Sequence, residues 1–151
     1  AQSYYHWLFL AQPSPFPEKL ISADPDYYYE SCLLGWGAAN LDSFDPEKLN
    51  QYRKSWNNTD TIRAMCDDYR AAIHFDWDLD KEDRNRCLEI PACVMWGETR
   101  AMAKHFDVPA TWIKNFSNIE KKPMEGGHFF PDQYPQETVR ALVSFITNNV
   151  N

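Results

Sequence analysis

The stretch EGGHFFPDQYPQETVRALVSFI, residues 125–146, sets His128 directly behind Gly126 and Gly127 and ahead of Phe129, Phe130 and Pro131. An imidazole takes up and releases a proton near neutral pH, so a histidine in this setting is a candidate general base. The two glycines permit close backbone approach or a positive φ just before it. A histidine among aromatic residues is also commonly a packed, hydrogen-bonded part of a core, and residue type does not separate the two roles. His74 and His105 read as ordinary surface or half-buried residues. The carboxylate run DWDLDKED, residues 76–83, reads as a solvated connection rather than a metal site. Neither a metal nor a cofactor is expected.

Two kinds of sequence grammar position these groups. Through about Ile73 the signals are helical. YYHWLFL opens as a helix and is stopped by Pro13, Pro15 and Pro17. Asp24 with Pro25, and Asp45 with Pro46, place a side-chain acceptor and then a residue with no N–H at a helix start. The first of these helices should stop at Gly35 or Gly37, and a third should run from Thr59 or Asp60 through IRAMCDDYRAA. Beyond the acidic connection, IPACVMWGE is a short apolar run between Pro91 and Gly97, as expected of a buried parallel strand. A short helix through MAKHF follows, then a weaker strand ending near Gly126. A final helix starts at Pro135 to Thr138, with Val139, Leu142, Val143 and Ile146 on one face.

Strand, helix, strand, helix predicts an α/β layer, with His128 just past the carboxyl end of the last strand, the edge where open α/β sheets bind ligands. The expected division is a helical region over 1–86 and an α/β region over 87–151. Two parallel strands make a poor sheet by themselves, so the 151 residues are expected to be the C-terminal half of a larger enzyme.

Composition sets bounds on the class. An apolar share of 44% with 15% aromatics and interspersed charge is that of a globular chain. The longest apolar runs fall short of a membrane span, and the start lacks a basic, leader-like segment, so neither a spanning helix nor a signal peptide is expected. A net charge of −7 with no basic cluster argues against nucleic acid or an anionic membrane as partner. Cys32, Cys66, Cys87 and Cys93 lie far apart without C-x-x-C spacing, which fits reduced thiols in a cytoplasmic protein.

YYHW, FLAQPSPFPEKLI, DPDYYYESCLLGWG, CDDYRA and GGHFFPDQYPQET, in this order, resemble stretches of the haloacetate dehalogenases, fluoroacetate dehalogenase among them, within the α/β-hydrolase superfamily. The resemblance covers nearly the whole chain. It implies the C-terminal portion of an α/β-hydrolase fold with a helical cap, and IPACVMWGE resembles the strand that precedes the last one in that fold. It further implies that His128 activates water to hydrolyse an ester intermediate. His6, Trp7 and Tyr69 would match the cap residues that hold the departing halide, and Trp36 of GWG would line the same pocket. An imidazole N–H, an indole N–H and a phenol O–H suit a small, strongly hydrated anion. Read without the resemblance, Tyr4, Tyr5, Trp7, Leu8 and Leu10 also fit an aromatic helix face packed on a neighbour. Tyr69 fits a core tyrosine with a surface hydroxyl, and Trp36 fits helix-end packing.

The nucleophile of this superfamily sits on a sharp turn with glycines two residues before and after it, and no two glycines here are four apart. The resemblance therefore assigns the aspartate nucleophile, the arginines that clamp the substrate carboxylate and the acid that orients the histidine to a segment upstream of this chain. Glu98, ahead of Thr99 and Arg100, is a poor match for that acid. The 151 residues alone are expected to be inactive. The expected partners are a haloacid substrate and the upstream half of the same enzyme, with room for a homodimer; pairing or swapping through an exposed apolar sheet edge belongs to the competing reading of a non-catalytic assembly module. Another capped hydrolase, such as an epoxide hydrolase, or a non-catalytic binding module are the competing readings.

Overall fold

A computed structural model describes residues 4–36 and 40–149, without the side chains of Trp36, Arg100 and Ala101. The chain divides into two compact units, Ala1–Gly35 with Phe44–Asp83 and Trp36–Ser43 with Arg84–Asn151.

The first unit is helical: α1 Tyr5–Leu10, α2 Phe16–Ala23, α3 Pro25–Trp36, α4 Pro46–Trp56 and α5 Thr59–Ala71, the last running through a π-helical turn, Ala72–Asp76, into α6 Trp77–Asp83. The starts follow the capping chemistry. Asp24 accepts from the Tyr27 N–H at 3.0 Å, Asp45 accepts from Glu47 and Lys48 at 3.0 and 3.1 Å, and Asn58 accepts from Asp60 at 2.8 Å. Each such cap is worth about 1 kcal/mol. The proline cluster does more than end α1: Pro15 stands just before α2 and Pro17 lies in its first turn, where the missing N–H costs nothing. The acidic run that reads as a connection is the exposed helix α6. It has no glycine or proline to break it, and Lys81 pairs with Asp78 at 2.7 Å.

Periodicity decides what these helices bury. On α1, His6 and Leu10 are one turn apart and buried; on α5, Ile62 and Cys66 are buried and Tyr69 extends the same row. Helices α3 and α4 are tied by carboxylates a turn apart on α3. Asp26 accepts from the Trp56 indole at 2.6 Å and the Asn57 amide at 2.7 Å, and Glu30 accepts from Arg53 at 2.6 Å. Tyr29 stacks on Trp56 with centroids 5.2 Å apart.

In the second unit β1 Ala92–Gly97 pairs in parallel with β2 Ile119–Met124, register Ala92 with Ile119 through Gly97 with Met124. Between them lie α7 Arg100–His105 and α8 Val108–Trp112, the latter capped by Asp107, which accepts from Ala110 N–H at 3.1 Å. Helices α9 Phe130–Gln133 and α10 Pro135–Asn149 follow. Its core is thin: among the described residues only Val108 and Met124 are buried apolar side chains in this unit. The row Val139, Leu142, Val143 and Ile146 is on α10 as the periodicity predicts, yet all four are exposed.

Candidate functional site

His128 owes its place to the loop 125–129. Gly126 has φ of 103°, a left-handed conformation that favours glycine. Backbone bonds carry the ladder past the strand ends, with Glu98 N–H donating to Met124 O at 2.9 Å and Thr99 N–H donating to Gly126 O at 3.1 Å. The loop lies directly on β1: a Cβ at Gly97 would sit 2.0 Å from the Gly127 carbonyl oxygen and 2.6 Å from its carbon. From the other side Gln133 Oε1 accepts from the Gly127 N–H at 3.0 Å, and the Tyr134 hydroxyl donates to Glu125 at 3.0 Å. Sequence reading missed Gly97 and Gln133 as supports of this loop. The glycine closing IPACVMWGE was a visible signal; Gln133 gave none.

His128 reaches solvent while its ring meets Phe129 edge-on at 5.1 Å. The surrounding protein lowers its pKa by partial desolvation, although contact with water limits how far. The neutral ring, the form able to accept a proton, therefore persists to lower pH than in a free histidine. An NMR titration of the ring carbons in the 151-residue chain should give a midpoint below the ordinary value of 6.5. The sign for stability follows. Because the unfolded chain takes the proton first, the ring's contribution is complete above the unfolded value and is lost as pH falls through the folded one. A midpoint at or above 6.5 would mean that desolvation does not dominate the titration of the ring.

The first unit holds a second cluster. His6 is buried, its ring edge-on to Tyr69 at 5.7 Å, and Trp7 is edge-on to Tyr69 at 5.1 Å. His6 and Trp7 are 6.5 Å apart, so three rings from α1 and α5 converge. The packed members of α1 are His6 and Leu10, whereas Tyr5, Trp7 and Leu8 are exposed; α1 is not an aromatic face buried on a neighbour. Burial first, then the nearby Cys32 and Asp68, pushes the Tyr69 hydroxyl above its ordinary pKa, which keeps it a donor. Trp36 closes α3, and its side chain lies outside the described residues. All four cysteines are free, and burial raises the thiols of Cys32 and Cys66, the second to about 11. Among the described residues no three His, Cys, Asp or Glu side chains gather as metal ligands would, and no helix is long and apolar enough to cross a membrane.

No family model matches the sequence. Over 148 residues the chain is 44% identical to a fluoroacetate dehalogenase from Burkholderia sp., covering 98% of this chain and 49% of that protein. A candidate α/β-hydrolase from Nostoc sp. PCC 7120 superposes with a TM-score of 0.92 at 38% identity, over 97% of this chain and 50% of that one. The chain has the fold of the C-terminal portion of an α/β-hydrolase. A candidate epoxide hydrolase from Pseudomonas aeruginosa matches with a TM-score of 0.88 at 32% identity, over 99% of this chain and 50% of the other. The chain thus spans about half the length of the relatives it matches. Within this chain the GGH loop follows β2, and the helices of the first unit precede β1 and β2.

Proposed function

We propose that the whole protein is a hydrolytic dehalogenase of haloacetates, converting fluoroacetate to glycolate and fluoride. In this reading residues 1–86 are the helical cap and residues 87–151 the C-terminal part of the hydrolase core. The upstream half would supply the remaining strands, an aspartate nucleophile, arginines for the substrate carboxylate and the acid that orients His128. The observation that carries the reading is the meeting of an imidazole, an indole and a phenol on α1 and α5. Such donors replace the hydration of a leaving fluoride. The similarity to the Burkholderia dehalogenase points the same way.

The aspartate carboxylate attacks the α-carbon: a carbon–oxygen ester bond forms as the carbon–fluorine bond breaks, and fluoride leaves with the bonding pair toward His6, Trp7, Tyr69 and Trp36. His128 then takes a proton from water as the water oxygen attacks the ester carbonyl. The bond to the glycolate oxygen breaks, that oxygen takes the proton of the newly formed carboxyl group, and the imidazolium gives its proton to solvent, so that the aspartate carboxylate and the neutral His128 are restored. The free thiols favour a reducing, cytoplasmic setting.

Fluoride release from fluoroacetate, measured with an ion-selective electrode, tests the reading. The full-length protein should release fluoride and the 151-residue chain should not. Release by the short chain alone would overturn the upstream nucleophile. The likeness to the Pseudomonas protein favours epoxide hydrolysis as the second reading. Hydrolysis of an epoxide by a full-length protein inert to haloacetates would establish it instead.

A further inference from the structure

We propose that Arg70 is a positioning residue that sets the spacing of the His6, Trp7 and Tyr69 donors and so tunes the protein toward fluoride as the leaving group; this rests on the dehalogenase reading above. Arg70 follows Tyr69 on α5, and its side chain is only 16% exposed. The planar guanidinium is fully engaged on three sides. Nη2 donates to Glu18 Oε1 on α2 at 2.8 Å, Nη1 to Asp67 on α5 at 2.7 Å, and Nε to the carbonyl of Gln12, just past α1, at 2.9 Å. Gln12 is in turn tied back to α1, donating from Nε2 to the Leu8 carbonyl at 2.8 Å. One side chain therefore joins the helix bearing His6 and Trp7, the helix that follows it and the helix bearing Tyr69.

Two observations separate this from substrate binding and from a surface ion pair. Glu18 and Asp67 already match the Arg70 charge, so the group is not a vacant anion receptor. Glu18 is itself only 13% exposed. Burial pushes its carboxyl up, but backbone and side-chain hydrogen bonds, from Arg70 and Ser14, together with the Arg70 charge, outweigh this and hold it below the usual range. A rigid fork of this kind fixes separations that a flexible cation would not.

The three ring centroids lie 5.1 to 6.5 Å apart, and donors that must reach one small ion together lose their fit when α1 moves against α5. Fluoride, small and strongly hydrated, depends on all donors at once. Chloride leaves more readily and depends on them less. The ratio of fluoroacetate to chloroacetate turnover is thus a readout that loss of folded protein does not move, since unfolding removes both activities in equal proportion.

The experiment compares Arg70→Met, Arg70→Lys and Glu18→Gln in the full-length protein, with the single-turnover rate of halide release measured on both substrates, since the ester formed afterwards is the same for both, and folding followed by circular dichroism. Arg70→Met should lower the fluoroacetate to chloroacetate ratio by about tenfold or more. Arg70→Lys should lower it partly, and Glu18→Gln, which keeps an acceptor for the guanidinium, should largely preserve it. If Arg70→Met fails to fold, the ordering of the other two against wild type decides. An unchanged ratio in every folded variant would overturn the proposal and leave Arg70 as a structural clasp. A wild-type protein that turns over neither haloacetate would instead remove the dehalogenase reading, and this inference with it.

Discussion

Replacing His128 with alanine in the full-length protein should leave a single burst of fluoride and almost no steady turnover. The expectation follows from the division of labour proposed for the site. Halide departure needs the upstream carboxylate and the donor cluster, whereas ester hydrolysis needs a base for water. His128 is exposed to solvent at the carboxyl edge of a parallel pair of strands and is held by a glycine-built loop. A general base of this kind contributes about 10²–10⁴-fold, so steady-state kcat should fall within that range. Rapid-quench measurement of fluoride, with intact-mass detection of the ester on the protein, checks both halves of the prediction. If His128 were only a packed aromatic-cluster residue, its loss would lower stability without accumulating an ester. If the protein were an epoxide hydrolase, the same variant would trap an ester from an epoxide and none from a haloacetate.

How much of this was legible depended on whether the cause was local. Asp24, Asp45 and the continuous apolar run of IPACVMWGE act within a few positions, and α3, α4 and β1 appear where those residues call for them. Helix α2 is hard to see in the sequence because a proline cluster marks a break as readily as a start, although Pro17 suits a first turn. Helix α6 was hidden because a helix exposed on every side carries no apolar period. Helix α8, one turn long, hangs on Asp107 and Pro109. In the candidate site, the row Ile62, Cys66, Tyr69 announces which face of α5 turns inward, but nothing in the spacing says that His6 and Trp7 meet Tyr69. That contact closes over more than sixty residues, and the family resemblance alone pointed to it. The Gln133 contact is short in sequence and still illegible, because it depends on a side chain folding back onto the Gly127 N–H. The row on α10 has the reverse character: its period is plain in the sequence, yet Val139, Leu142, Val143 and Ile146 are all exposed.

Gly97→Val should cost the second unit about as much as a severe core substitution, and it should disturb His128 without touching it. The ideal Cβ at this position lies 2.0 Å from the Gly127 oxygen, 2.6 Å from its carbon and 2.7 Å from the Gly126 oxygen. All three are backbone atoms, so no side-chain rotation relieves the clash. The loop must lift from β1. Lifting it breaks the bond from Thr99 N–H to Gly126 O and pulls Gly127 N–H from Gln133, two links that fix the direction in which His128 leaves the strand. Overpacking of a well-filled site costs about 1–3 kcal/mol, and two strained hydrogen bonds add roughly 1 kcal/mol each, for a total of about 3–5 kcal/mol. Urea unfolding of the full-length protein measures the stability loss. The catalytic consequence separates from it in the folded fraction: a base displaced by about 1 Å loses on the order of 10²-fold, so ester should accumulate as in His128→Ala while the first fluoride is still released. Gly97→Ala brings the same Cβ to the same atoms and should produce the same pattern, because the collision is made by the first carbon. Full steady turnover in Gly97→Ala would mean that the loop can leave β1 without moving His128, and would place the support of that histidine on Gln133 and α9 alone.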